Sequence, residues 1–187
     1  MPRTSRDAEF STFVEGYRVE LLRAARLLTA GDRYLAEDLV QTALVRLYSA
    51  WPRLREKPIA YAHRVIINAH IDVTRRLWWR RERSVSDLPE RPGPLASGSD
   101  DLREVIRAAL ASLPPRMRAV VVLRYWLDFS VEESADLLGC TQGTVKSQTA
   151  RAVVKLREQL GSEHGERFSF DTDPPVLRPA ANPLRSF

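Results

Sequence analysis

The stretch from Ser130 to Arg151 constrains this chain more than any other, because it dictates two short helices with a tight corner between them. The Ser130 hydroxyl is placed to accept from the backbone N–H of Glu133, and the Glu133 carboxylate to reach back to the N–H of Ser130, a capping box that starts a helix. Leu138-Gly139-Cys140 ends it, since glycine adopts the left-handed backbone of a helix terminus without a Cβ penalty. Thr141 then caps a second helix that runs through Arg151 and beyond. Ala135, Gly139 and Val145 have the spacing of a helix-turn-helix. A small residue lets the helices approach, glycine makes the corner, and a branched apolar residue anchors the second helix.

The polar positions of that second helix agree with the motif. Gln142, Thr144, Lys146, Ser147, Gln148, Thr149 and Arg151 put donors, acceptors and positive charge near its start, the portion that enters the major groove of DNA. Lys146 and Arg151 suit guanine edges or phosphates, and Ser147 and Gln148 suit base edges. The blander alternative is a solvated face of a helical bundle.

The rest of the chain also reads as helix. Phe10, Phe13, Val14, Tyr17, Leu21, Ala24 and Leu28 form one stripe at three- and four-residue spacing. Thr29-Ala30-Gly31-Asp32 interrupts it, with Asp32 placed to cap a helix bearing Leu35, Leu39, Ala43, Leu44, Leu47 and Trp51, which stops at Pro52. Pro58 opens a third helix, with Ala62, Val65, Ile66, Ala69, Val73 and Leu77 as its stripe. From Ser84 to Ser99 the proline- and glycine-rich sequence carries no apolar period and reads as a linker. Periodicity resumes at Leu102 and Val105, and Pro114-Pro115 ends one helix and starts the next. From Gly161 the polar, proline-rich sequence reads as a flexible tail. The fold class expected is therefore all-α: two small helical domains over 8–82 and 101–160, a flexible link at 83–100 and a tail at 161–187.

Composition narrows the function. With 187 residues, 44% hydrophobic and 28% charged, the chain is globular. No apolar run nears the roughly 20 residues that span a bilayer, and Met1 to Asp7 lacks the apolar core of a secretory signal, so no membrane insertion and a cytoplasmic location are expected. Cys140 is the single cysteine, which excludes an internal disulfide and a multi-cysteine zinc site. It reads as a small apolar residue. The net charge of +5 favours a polyanionic partner. Only Lys57, Lys146 and Lys155 are lysines, an arginine bias that suits phosphate contacts and equally fits a G+C-rich genome.

A second basic region closes the third helix: Arg75-Arg76-Leu77-Trp78-Trp79-Arg80-Arg81-Glu82-Arg83. Arginines neutralise phosphates and tryptophans stack on unpaired bases, each stack worth about 1–3 kcal/mol. The alternative is that Leu77 and one tryptophan close the core. The helix bearing Glu37, Asp38, Gln41 and Arg46 has a polar face opposite its leucines, suited to a protein partner or simply to solvent.

Together these segments resemble the extracytoplasmic-function sigma factors of bacterial RNA polymerase, specifically the actinobacterial sigma-E-like group. Leu35-Ala36-Glu37-Asp38-Leu39-Val40-Gln41-Thr42-Ala43-Leu44 is similar to the family's polymerase-binding helix. Ala60 to Asn68, continuing through Asp72 to Arg76, is similar to the segment that melts and reads the −10 element. Leu113 to Val120 and Gly143-Thr144-Val145-Lys146-Ser147 are similar to the fourth sigma domain, which reads the −35 element. The likeness spans roughly residues 10 to 160, in family order.

The resemblance implies a specificity subunit whose partners are core RNA polymerase, promoter DNA (duplex at −35, melted at −10) and an anti-sigma factor, with no cofactor, no metal and no catalysis. By position it implies polymerase contacts from Glu37, Asp38, Gln41 and Leu44. The −10 contacts it implies fall on Asn68, Asp72, Arg75 and Arg76, to which the basic-aromatic end of the helix adds Trp78, Trp79 and Arg80; the −35 contacts it implies fall on Lys146, Ser147, Ala150 and Arg151, to which the polar face of the second helix adds Gln142, Thr144 and Gln148. The pair Gln148-Thr149 stands where many relatives carry a basic or bulky residue, and the tail has no counterpart in the minimal family pattern.

Two rivals stay open on the residues alone. A stand-alone helix-turn-helix regulator shares the C-terminal motif but leaves the helix at 35–44 and the basic-aromatic helix unexplained. An interaction protein that sequesters polymerase or an anti-sigma partner is the second. An enzyme is the weakest reading: His63 and His70 share a helix but lack a third ligand, and no nucleophile–base pair stands out.

Overall fold

In the computed structural model of the chain, residues 3–54, 57–83 and 101–165 are described, and every regular element among them is helical. The order is α1 (Arg3–Leu28), α2 (Arg33–Ala50), a 3-10 turn (Trp51–Arg53), α3 (Pro58–Arg83), α4 (Asp101–Ser112), α5 (Pro115–Val121), a π-helical turn (Val122–Trp126), α6 (Val131–Leu138) and α7 (Gln142–Gly165). Two helical units result, Met1–His70 and Ile71–Phe187. The division falls within α3. The expected link lies outside the described residues from 84 to 100, as does the tail from 166 to 187. α1 begins at Arg3, and α7 runs to Gly165, into the segment expected to be tail.

The first unit is held by the stripes read in the sequence. Phe13, Leu21, Ala24 and Leu28 of α1 are buried, as are Leu39, Ala43, Leu44 and Leu47 of α2 and Ala62, Val65 and Ile66 of α3. Each large aliphatic side chain so buried stabilises by about 1.5–3 kcal/mol. At the α1–α2 corner Ala30 and Gly31 take positive φ (53° and 91°). The Asp32 side chain accepts from the N–H of Leu35 at 3.0 Å, the cap expected of it.

The early start of α1 has an aromatic cause. Phe10 meets the rings of Tyr48 and Trp51 edge-on, with centroids 5.0 and 5.2 Å away. Arg6 lies 4.0 Å over the Tyr48 ring, whose hydroxyl donates to Asp7 at 2.6 Å. These contacts tie the first turns of α1 to the end of α2.

The second unit centres on the run Ala119–Trp126, in which every residue is buried. α4 ends before Pro114-Pro115, and its last carbonyls are taken by Arg118. That guanidinium donates to the carbonyls of Leu110 (2.8 Å), Ala111 (3.2 Å) and Leu113 (3.1 Å), filling acceptors a helix end leaves open. Burial pushes the Arg118 pKa down to about 10, still well above neutral pH.

After α5 the helix widens. Leu127 N–H donates to Val122 O at 3.0 Å, closing a π turn. Arg124 within it donates to the carbonyl of Phe129, and Asp128 takes a positive φ of 54°. This turn delivers the chain to the Ser130 cap.

Candidate nucleic-acid interface

The corner expected between 130 and 145 forms from the residues that encode it. Glu133 N–H donates to the Ser130 hydroxyl at 3.0 Å, and Ser130 N–H to the Glu133 carboxylate at 2.8 Å. Gly139 sits at φ 60°, ψ 44°, closing α6 with its N–H on the Ala135 carbonyl. Thr144 N–H donates to the Thr141 hydroxyl at 3.1 Å, starting α7. Val120, Ala135 and Val145 are buried against each other, with Val131, Leu138 and Cys140 packed around them. Cys140 thus serves as the small packing residue expected of it.

Val145, Ala152, Val153, Leu156 and Leu160 turn α7's apolar face inward. The opposite face presents Gly143, Lys146, Ser147, Ala150, Arg151 and Val154, all exposed. Gln142 is exposed at the helix start, where free N–H groups and the helix dipole favour a phosphate. Thr144 and Gln148 are only half-exposed, at the edge of this face. Thr149 leaves it: its hydroxyl donates back to the Val145 carbonyl at 2.8 Å. Ser147 donates to Thr144 O at 3.0 Å and keeps acceptor capacity outward. Among the described residues no acidic side chain comes within 4.0 Å of the Lys146 or Arg151 charge.

On α3, Asn68, Arg75 and Arg76 are exposed and Asp72 is half-exposed. Arg75 donates to the Asp72 carboxylate at 3.1 Å. Trp78, Trp79 and Arg80 fall within α3, but their side chains lie outside the described residues. Arg64, exposed on the same helix, adds a cation absent from the residues expected for this role. Its signal was present as one more arginine on the polar side of the stripe.

α2 presents a different surface. Asp38 and Gln41 are exposed, and Glu37 is held by Arg18 of α1 at 3.1 Å. Leu44 is 8% exposed and belongs to the core, because the helical period turns it inward with Val40 and Leu47. Tyr34 (92% exposed) and Val45 (66%) complete a row with Asp38 and Gln41 at spacings of four, three and four, the geometry of one helix face. Sequence reading missed both. Large side chains at the edge of an apolar stripe read as core until burial is known.

The two histidines are packing residues of α3. His63 is buried, its Nε2 3.8 Å from the half-exposed Glu20 carboxylate. Burial outweighs that screened attraction and pushes its pKa down to about 4. His70 is buried as well. Among the described residues no group of three or more His, Cys, Asp or Glu could hold a metal, and no helix is long and apolar enough to cross a membrane.

Comparison with known proteins places both units. Residues 13–80 match the family model of sigma-70 region 2, and residues 103–156 match that of sigma-70 region 4. The RNA polymerase sigma-E factor of Streptomyces avermitilis is 42% identical over 161 residues, covering 82% of this chain and 86% of the relative. The sigma-E factor of Streptomyces coelicolor is 42% identical over 158 residues, covering 81% and 86%. Among solved structures, the sigma factor RpoE of Bartonella quintana, crystallised with the anti-sigma factor NepR, aligns with a TM-score of 0.63 at 25% identity over 81% of this chain and 96% of that one. The chain belongs to the RNA polymerase sigma factors, in their extracytoplasmic-function, sigma-E-like group.

Proposed function

We propose that the chain binds core RNA polymerase through the exposed row of α2, reads the duplex −35 element with α7 and captures the melted −10 element along α3. The observation that carries this reading is the outer face of α7, where Lys146 and Arg151 stand unpaired by any described acid around the small residues Gly143, Ser147 and Ala150. Small side chains let the helix seat deep in a groove, and the flanking cations reach phosphates or guanine edges. Gln142 and Thr144 act at the helix start, and Gln148 acts from the edge. On α3, Asn68, Asp72, Arg75 and Arg76 track the single strand, with Arg64 in support and Trp78, Trp79 and Arg80 continuing along the helix.

Each face alone would give weak, salt-dependent affinity. Joined through polymerase, they act as linked modules with high effective concentration on a bipartite site. Capture of extruded bases offsets an unstacking cost of a few kcal/mol. The functional domains run over 8–82 and 101–160, with 83–100 as the link. The chain supplies specificity and no bond chemistry of its own, needs no cofactor, and works where polymerase is, in the cytoplasm. The complex formed by its solved relative supports an anti-sigma protein as a further partner.

Glu37, Asp38 and Gln41 present the polymerase contacts, with Tyr34 and Val45 in the same row. Leu44 acts by packing α2, so its replacement would perturb the fold rather than test a contact. The experiment is co-elution with bacterial core polymerase on gel filtration, followed by run-off transcription on genomic fragments. Stable co-elution, lost in the triple variant Tyr34→Ala, Asp38→Ala, Gln41→Ala, is the expected result. Duplex DNA binding without co-elution would replace this reading with that of a stand-alone regulator. Co-elution without promoter opening would mark a protein that sequesters polymerase.

A further inference from the structure

A groove of about 620 Å3 between α7 and the π turn is lined by three bases, Arg124, Lys146 and Arg157, and by no acid among the described residues. Arg124 lies in a run where every residue is buried, and it is itself only 9% exposed. Its guanidinium donates to the Phe129 carbonyl. Among the described residues no carboxylate comes within 4.0 Å of it. A guanidinium is a fork of N–H donors with a fixed charge. One backbone carbonyl leaves that charge uncompensated, and a buried charge is costly unless an anion completes it. Because the fork borders an open groove, an anion arriving from outside can meet it.

The helical period puts the other two bases on one side. Lys146 and Arg157 are eleven residues apart, three turns of α7. They therefore share an edge and mark a track about 16 Å long rather than a point. Arg151, five residues from Lys146, is turned about 140° away, at the far edge of the outer face. Gly143, Ser147 and Ala150 lie between the two edges and line the groove as well. A chain of anions that meets the outer face of α7 thus runs on into the groove. Tyr125, Val153 and the exposed Val154 give it apolar walls. Repeated charge separated by less polar sugar is the make-up of a nucleic-acid backbone.

We propose that this groove seats the sugar–phosphate backbone of one strand of duplex DNA, with Arg124 as its buried phosphate contact and Lys146 and Arg157 spaced along the strand. The inference rests on the reading of α7's outer face as the duplex-binding surface, and it assigns Lys146 to phosphate rather than to a base edge. The Arg124 fork then bridges the phosphate and the Phe129 carbonyl, tying the loop before the Ser130 cap to the strand. Such contacts carry no sequence information but fix register. Arg124 is thus a positioning residue for the bases that α7 reads.

The test uses the full chain and labelled duplexes of about 30 base pairs in two unrelated sequences, titrated from about 50 to 200 mM salt. Arg124→Gln keeps a donor for the Phe129 carbonyl and loses the charge. It should flatten the logarithmic salt slope by about 0.9 and weaken binding about eightfold at about 0.1 M salt, equally on both sequences. Arg124→Lys should restore the slope. The double variant Lys146→Gln, Arg157→Gln changes only exposed positions and should lose about 1.8 of slope; it decides the matter if melting shows Arg124→Gln to be unfolded. Unchanged slopes in folded groove variants, with duplex affinity lowered by Arg151→Gln, overturn the proposal and keep α7 as the reading helix. A loss confined to one sequence overturns it too, because the groove would then read bases. Variants that spare duplex but weaken binding of poly-glutamate give the groove to an acidic polypeptide instead. Duplex binding unmoved by the groove variants and by Arg151→Gln alike removes DNA from α7, a failure of the promoter reading itself.

Discussion

The two helices proposed to meet nucleic acid differ in one electrostatic feature, an ion pair on α3 that stands beside its unpaired Arg64 and Arg76 and has, among the described residues, no counterpart on the outer face of α7. On α7, Lys146 and Arg151 have no described acidic neighbour, and the hydroxyls of Thr149 and Ser147 bond the helix's own carbonyls. On α3, Arg75 is paired with Asp72 three residues away. An unpaired cation contributes its full charge to phosphate neutralisation, whereas a paired one must exchange its partner first. On the proposed reading, α7 meets duplex with its cations already unpaired. On the same reading, the carboxylate that α3 keeps among its cations suits contact with bases of an open strand more than the holding of duplex.

The hardest way to break the comparison is to remove one helix altogether. Val145 is fully buried in the cluster that seats α7 on α6, so Val145→Asp places an unpaired charge in an apolar site at a cost of about 3–5 kcal/mol. Calorimetry should show the second unit's transition lost or lowered while that of the first is kept. Co-elution with polymerase should persist while duplex binding disappears. Loss of both transitions together would mean the units do not fold separately.

Acid should sharpen the contrast from the other side, because the second unit buries a charged base and the first a neutral one. Arg118 in the second unit stays protonated through neutral pH. His63 in the first is held neutral to about pH 4, against 6.5 for the free side chain. Between those values the unfolded chain binds the extra proton, so stability falls as pH drops from about 6.5 to 4 and is level above that window. The full difference corresponds to about 3 kcal/mol. Thermal melts across this window should show the loss confined to the first unit and flattened in His63→Asn; an unchanged slope in that variant would assign it to other groups.

The charge plans themselves are tested by salt dependence. Arg151→Ala and Lys146→Ala should each cost about 1–3 kcal/mol of duplex affinity if they meet base edges, or flatten the salt slope by about one charge if they meet phosphates. Arg75→Ala should do less to duplex binding, about 0.5 kcal/mol, since Arg75 is held by Asp72 on a helix proposed to meet the open strand rather than duplex. Equal effects from all three, measured by anisotropy at several salt concentrations, would erase the distinction between the helices.

Much of this was legible in the sequence where local chemistry sets the backbone. Ser130, Glu133, Gly139, Thr141 and Asp32 are placed as their capping chemistry requires, and the apolar stripes of α1 to α3 supply most of the first unit's core, with Tyr17 of the α1 stripe left 41% exposed. Legibility failed where tertiary contacts decide. The π turn at Val122–Trp126 differs from an α-helix by one residue per turn, too little to detect in five residues that are all buried. Leu44 and Tyr34 lie on one helix, yet one is core and the other 92% exposed, and hydrophobicity alone does not separate them. The extension of α1 to Arg3 depends on Tyr48 and Trp51, some forty residues away in the chain.

Gly139 gives the smallest effect and isolates a single term. A Cβ built there meets nothing within 4 Å, so Gly139→Ala introduces no clash and its cost is the left-handed backbone alone, φ 60°. That conformation costs an L-residue about 1–2 kcal/mol, reduced by the smaller entropy the alanine chain loses on folding, for a net loss of about 1 kcal/mol. Gly139→Asn, which tolerates this region better, should recover part of it. If alanine instead abolished duplex binding at unchanged stability, the glycine would be needed for close approach of the DNA backbone to the corner. The α6–α7 turn would then itself be a contact surface, and the second unit would hold duplex by more than the outer face of α7.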